Sequence, residues 1–289
     1  MSSTLKFQCF YESTTNTCQY VVWCSATKRC AIVDSVLDFD MASGRTSHKS
    51  CDELIACVRE HGLAVDWILD THVHADHLTG ANHLKSVFPT ALYGIGEHVV
   101  SVLATFQRVF DLHKLPTDGS QFDRLLKDGE VIQLGSVPLR VMHTPGHTLA
   151  CCTYVLGNDE AAIVGDTLFA PDGGVARCDF PGGNARQLWH SIQKILALPD
   201  ACVVMLCHDY LPGGRPMMFK STIGDERKNL HLLNKTEDEF VAFREARDKT
   251  LSVPKLLVPS IQVNVNAGAL PTKEPGDANA YLKVPLNVL

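Results

Sequence analysis

Residues 71–77 read Thr71-His72-Val73-His74-Ala75-Asp76-His77. Three imidazoles and a carboxylate fall within six residues, a density that packing alone does not explain. Neutral imidazole and carboxylate are good ligands for first-row metals. In a turn, alternate side chains can converge on one point. The run follows Val65 to Leu69, which reads as a short buried strand after Gly62. A rigid strand that presents a chemistry-bearing loop to a cleft predicts a metal-dependent α/β enzyme. The competing reading of the run alone is a His-rich surface loop.

Three further stretches argue for a site. Thr144-Pro145-Gly146-His147-Thr148 follows an expected hairpin of Val131–Leu134 and Val137–Met142 around Gly135-Ser136. Gly165-Asp166-Thr167-Leu168-Phe169 follows an expected strand over Ala161–Val164. His208-Asp209-Tyr210 follows another over Ala201–Leu206. Each is weak alone, because a strand-end Asp is more often a turn residue. After the His-rich run, in this order, they form one expected site.

The rest of the chain alternates in type. Phe7–Phe10, Thr17–Cys24 and Cys30–Val36 read as strands. Ser47–Glu60 reads as a helix capped by Ser47, Thr79–Val87 as the next, and Asn184–Leu198 as an amphipathic helix capped by Asn184. Ala150–Leu156 reads as a strand, and the stretch after Leu92-Tyr93-Gly94 as helical or irregular to about Leu115. Two mixed sheets with helices outside would bury this pattern. The expected organisation is a catalytic domain over 1–250 and a C-terminal extension, 251–289, packed on the same domain.

Composition narrows the partners. The 289 residues are 45% hydrophobic and 20% charged, as in ordinary globular proteins. A net charge of −6 argues against nucleic acid, which needs a basic face. No stretch approaches the ~18 consecutive apolar residues of a membrane helix. The 11 cysteines form no C-x-x-C pair and are odd in number, which reads as free thiols in a reducing compartment. No signal or transit pattern stands out, so a cytoplasmic location is expected, with the mitochondrial matrix as the alternative for a eukaryotic source.

Taken together, H-x-H-x-D-H at 72–77 and the later His147, Asp166 and His208 resemble the metallo-β-lactamase fold family over roughly residues 18 to 212. The resemblance implies an αββα sandwich with metal at one sheet edge. It also implies two sub-sites: His72, His74 and His147, then Asp76, His77 and His208, with Asp166 able to bridge. Gly165–Phe169 followed by Arg177-Cys178-Asp179-Phe180 looks like the persulfide dioxygenase (sulfur dioxygenase) branch, and the tail from Ile261 to Asn287 resembles its longer bacterial-type members.

That branch implies one Fe(II) per chain on His72, His147 and Asp166, a two-His-one-carboxylate face with open positions for substrate and O2. His74, Asp76, His77 and His208 would then orient ligands and water, or hold a second metal. Tyr210, Arg227 and Lys228 are the implied contacts to glutathione, although the usual Asn-Pro reads Asn229-Leu230 here. Arg177 and Asp179 are expected as a structural ion pair behind the metal. The implied reaction oxidises the terminal sulfur of glutathione persulfide with O2 and water to sulfite and glutathione, in a homodimer. The alternative is a dizinc hydrolase of a glutathione thioester, with two Zn(II) per chain. A third reading is a binding or regulatory protein that keeps the fold without turnover.

Overall fold

The computed structural model describes residues 4–273 and 275–288. Its first half contains β1 (Leu5–Glu12), β2 (Thr17–Cys24), β3 (Arg29–Val33), β4 (Val36–Asp40), β5 (Arg45–Ser47), α1 (Lys49–Glu60), β6 (Ala64–Leu69), β7 (Leu78–Thr79), α2 (Ala81–Val87), β8 (Leu92–Gly96), α3 (Val99–Val109) and β9 (Arg124–Leu126). The second half contains β10 (Val131–Leu134), β11 (Val137–His143), β12 (Cys152–Leu156), β13 (Ala161–Ile163), α4 (Ala185–Leu196), β14 (Val203–Met205), β15 (Lys220–Thr222), α5 (Ile223–Glu226), α6 (Glu237–Asp248) and α7 (Leu257–Asn264).

Two six-stranded mixed sheets result, ordered β1-β2-β3-β6-β8-β9 and β10-β11-β12-β13-β14-β15. Their residues alternate between two apolar layers, as the period of two in a strand requires. Tyr20, Val22, Ala31, Val33, Trp67 and Leu69 face the second sheet. Val21, Trp23, Ile32, Ile68, Tyr93 and Ile95 face the helical layer of α1, α2, α3 and α7. On the other side, α4 and α6 cover the second sheet. Both faces of each sheet are therefore covered, which is why β2 is buried along its whole length. This is the expected αββα sandwich.

Several boundaries differ from the sequence reading for tertiary reasons. The strand expected over Cys30–Val36 breaks at Asp34, whose φ of 53° is left-handed. Its end becomes β4, which pairs with β5 and β7 in a small third sheet. Ser47 belongs to β5 and does not cap α1. Instead, Asp38 accepts from the Ser50 N–H at 3.0 Å and from its hydroxyl at 2.7 Å, serving the helix start from across the hairpin. Thr79 lies in β7 and α2 starts at Ala81, while the strand expected from Ala150 starts at Cys152. Asn184 does cap α4, accepting from Gln187 N at 2.9 Å.

The segment read as an extension supplies core. Leu257, Ile261, Val265 and Ala267 sit in the same apolar layer as α1 to α3. The acidic run Glu237-Asp238 meets Arg186 of α4 at 2.5 and 2.7 Å.

Candidate metal centre

Every residue of the expected ligand set comes to one place, at the ends of strands from both sheets. His72, His74, Asp76 and His77 follow β6, His147 follows β11, Asp166 follows β13, and His208 follows β14. Gly146 makes the His147 turn fit: its φ is 141°, and a Cβ there would lie 2.3 Å from the Leu188 backbone of α4.

One nitrogen of each imidazole is tied to the protein, which frees the other for the centre. His147 Nδ1 donates to the Arg177 carbonyl at 2.8 Å, His77 Nδ1 to Leu78 O at 3.2 Å, and His208 Nδ1 to Asn16 O at 3.2 Å. His72 Nδ1 lies 3.0 Å from Thr71 Oγ1, and His74 Nε2 lies 3.0 Å from Asp34 Oδ1. Such partners fix ring orientation and tautomer in metal sites.

The free atoms decide whether a metal fits. His72 Nε2, His74 Nδ1 and His77 Nε2 are buried without hydrogen-bond partners, and the equally buried Asp76 Oδ2, Asp166 Oδ1 and His208 Nε2 meet one another at ion-pair distance. Unpaired buried polar atoms are costly, and donors of these types that converge on one point fit a site for metal cations. His72 Nε2 and His147 Nε2 lie 3.9 and 3.7 Å from Asp166 Oδ2. Two donors bound to one ion at ~2.0–2.2 Å lie at most ~4.4 Å apart, so these distances fit. His208 Nε2 lies 3.3 Å from both Asp76 Oδ2 and Asp166 Oδ1, so Asp166 stands between two groups of donors. A second triad, His74, Asp76 and His77, offers ligand atoms within 4.8 Å of one another.

Burial and neighbouring charges act on the donors in opposite directions. Burial opposes a charged His208, but the carboxylates of Asp76 and Asp166 outweigh it and push the ring up to about 10. Burial likewise works against His74, yet Asp34 raises it to about 9. Burial, helped by His74, lowers His77 to about 4, and burial holds His72 well below the ordinary imidazole range. Burial would raise Asp166, but His208 and its neighbours hold it well below the usual carboxylate range.

The centre opens on a cavity of about 1450 Å³, with Asp76, His77, His147 and Asp166 on its wall. Tyr210 lines it as expected, stacked on His208 at 5.8 Å between ring centroids. Arg177 and Asp179 form the expected ion pair at 2.6 and 2.7 Å. Arg177 also lines the cavity, lies 4.8 Å from the centre of the Phe180 ring, and holds His147 through its carbonyl. Arg227 and Lys228 are a correction. Both are exposed and absent from the cavity wall, because α5 turns their side chains outward. Arg227 pairs with Asp200 at 2.9 Å on the surface. The neighbouring Leu230 and His231 reach the cavity instead.

Two residues at the centre escaped the sequence reading. Asp34 is fully buried and accepts from Thr71 N at 2.7 Å, from the Thr71 hydroxyl, and from His74. Its place after the apolar run Ala31-Ile32-Val33 is a strand-end signal of the kind that singled out Asp166. Asn264, whose side-chain amide donates to the His74 and His77 carbonyls, carried no comparable signal, since these partners lie nearly two hundred residues away.

A sequence profile of the Metallo-beta-lactamase superfamily matches residues 16–208. The chain belongs to that superfamily. Within it, the chain is 49% identical to "Glyoxylase B2" of Dictyostelium discoideum, over 100% of this chain and 99% of that protein. It is 35% identical to bovine (Bos taurus) "Persulfide dioxygenase ETHE1, mitochondrial", over 68% of this chain and 66% of that protein. The crystal structure of ETHE1 from Myxococcus xanthus superposes with a TM-score of 0.73 at 26% identity, covering 91% of this chain and all of that one. No helix among the described residues is long and apolar enough to cross a membrane.

Proposed function

We propose that this enzyme is an iron(II)-dependent persulfide dioxygenase that acts on a thiol-borne persulfide such as glutathione persulfide. The observation that carries the reading is the wiring of Arg177-Cys178-Asp179-Phe180 to the centre. Arg177 holds His147 through its carbonyl, and Phe180 stands edge-on to the His147 ring at 5.6 Å. The stretch that resembles the dioxygenase branch thus touches a residue of the proposed iron triad. The likeness to the two ETHE1 proteins supports the same reading.

In this reading His72, His147 and Asp166 would hold the ion, and the cavity that reaches His147 and Asp166 would admit the substrate. Bound there, iron(II) would supply activation of O2 beside the terminal sulfur. The reaction balances as persulfide, O2 and water giving thiol, sulfite and two protons. His74, Asp76, His77 and His208 would orient water and move the released protons. Tyr210 keeps its expected place at the carrier, and two cations take the place of Arg227 and Lys228: Arg247 and Lys255 line the cavity. A carrier with two carboxylates needs such charge. A homodimer and an intracellular setting belong to the same proposal.

A second reading has its own observation. His74, Asp76 and His77 offer a second triad of converging donors, and the relative called Glyoxylase B2 is similar over the full chain. Two zinc ions held there would supply activation of water, which would make the site a hydrolase of a glutathione thioester.

Elemental analysis of gently purified protein, followed by an aerobic assay, separates the two. The first reading expects one iron per chain, O2 uptake and sulfite from glutathione persulfide. Two zincs per chain, with thioester cleavage and no O2 uptake, would sink it and establish the second.

A further inference from the structure

Asn264 is the last residue of α7, is 3% exposed, and lies outside the stretch matched by the superfamily profile. Its Nδ2 donates to the carbonyls of His74 and His77, both at 2.8 Å. Its Oδ1 accepts from the Thr79 N–H at 2.8 Å. One buried amide therefore spends both its hydrogens and its oxygen on the backbone of 74–79. The two carbonyls bracket Asp76, so the amide spans the turn that aims Asp76 and His77 at the centre. Packing fixes where the amide sits, because Leu257, Ile261 and Val265 anchor α7 in the core. The chain just beyond it fits closely too: a Cβ at Gly268 would lie 3.1 Å from Asn82 N and from Thr79 Cγ2.

We infer that Asn264 is a positioning residue of the metal centre, and that α7 is part of the metal-binding apparatus. It acts on the backbone path of the ligand turn and touches no ligand side chain. The inference rests on the metal centre and on neither choice of substrate.

The test compares two variants on one helix. Gln262 is tied to the tail through Lys283 N and O, both at 2.9 Å, and makes no bond to the ligand turn. Metal-free Asn264→Ala and Gln262→Ala would be titrated with Co(II) against a competing chelator, following the visible absorption of bound Co(II) and the melting temperature. Asn264→Ala should weaken Co(II) binding by ~10–100-fold, the range for residues that support metal ligands, and change the visible band. Gln262→Ala should lower the melting temperature yet keep Co(II) affinity within about twofold, as independent sites do. Wild-type affinity and spectrum in Asn264→Ala, or equal metal loss in both variants, would overturn the inference. Should Asn264→Ala not fold, Asn264→Asp keeps the acceptor for Thr79 and replaces both donors. It should lose Co(II) affinity as strongly, and wild-type affinity there would overturn the inference equally. Because Co(II) uptake needs no substrate, failure of the dioxygenase reading would leave this result unchanged.

Discussion

The turn at 71–77 and the segment at 222–229 both look like functional motifs in the sequence, yet they differ in where their polar atoms go. In the first, each His and Asp side chain is delivered by a strand end into a buried centre, where several atoms have no protein partner. In the second, a short helix starts with Thr222 accepting from Asp225 N at 3.1 Å, and the charges of Arg227 and Lys228 face solvent. The buried Glu226 of that segment is fully partnered by Ser221 and Asn229. Chemistry is built where buried polar side chains converge on one point, and a polar atom already satisfied or solvated is spent elsewhere.

This contrast can be broken at both ends. The largest effect should come from Asp166→Ala. It removes the carboxylate that stands between both groups of donors, and metal retention measured by elemental analysis should fall by more than the ~100-fold seen for supporting residues, with turnover lost. Retained metal at wild-type stoichiometry would contradict the shared role. Asp34→Ala should come next. It strips His74 Nε2 and Thr71 of their partner, so metal affinity should drop by ~10–100-fold while the fold persists in circular dichroism. An unchanged affinity would mean that the Asp34–His74 bond is structural only.

Glu226 sharpens the comparison from the other side. Burial raises its carboxyl from 4.5 to about 7. The native state then holds a proton that the unfolded chain has released, so stability falls as pH rises from about 4.5 to about 7. Glu226→Gln keeps both hydrogen bonds, with Ser221 accepting from the amide and Asn229 donating to its oxygen. The variant should flatten this part of the pH profile and be more stable at pH 8 by on the order of 1–3 kcal/mol, read from urea midpoints. An unchanged slope would show that Glu226 is ionised in the native state. The smallest effect should be that of Arg227→Ala. Its ion pair is exposed, so stability should change by less than ~0.5 kcal/mol. On the proposed function its KM should not move either, and a KM rise of tenfold or more would return Arg227 to the substrate.

Much of this molecule was legible in the chain. The candidate ligands were readable because they follow apolar β-type runs, and strand-end loops of a two-sheet sandwich open on a common edge. Asn184 was readable as a cap because its partner is three residues away. Ser47 was misread for the converse reason: the group that serves α1, Asp38, is close in space and lies on another strand. The outward turn of Arg227 and Lys228 depends on how α5 packs, which local residue types do not encode.

The sequence by itself determined two mixed sheets with helices outside and the membership of the candidate ligand cluster, because these follow from hydrophobic period and from residue types at strand ends, while the superfamily was legible as a resemblance carried by H-x-H-x-D-H and the later His147, Asp166 and His208. Only the tertiary structure decided which nitrogen of each imidazole is free and that Asp34 supports His74. It also decided that Arg227 is spent on Asp200 and that an asparagine of the last helix grips the ligand turn. Those outcomes are set by distances between residues far apart in the chain, and hydrogen bonds form on geometry in space rather than on spacing in sequence.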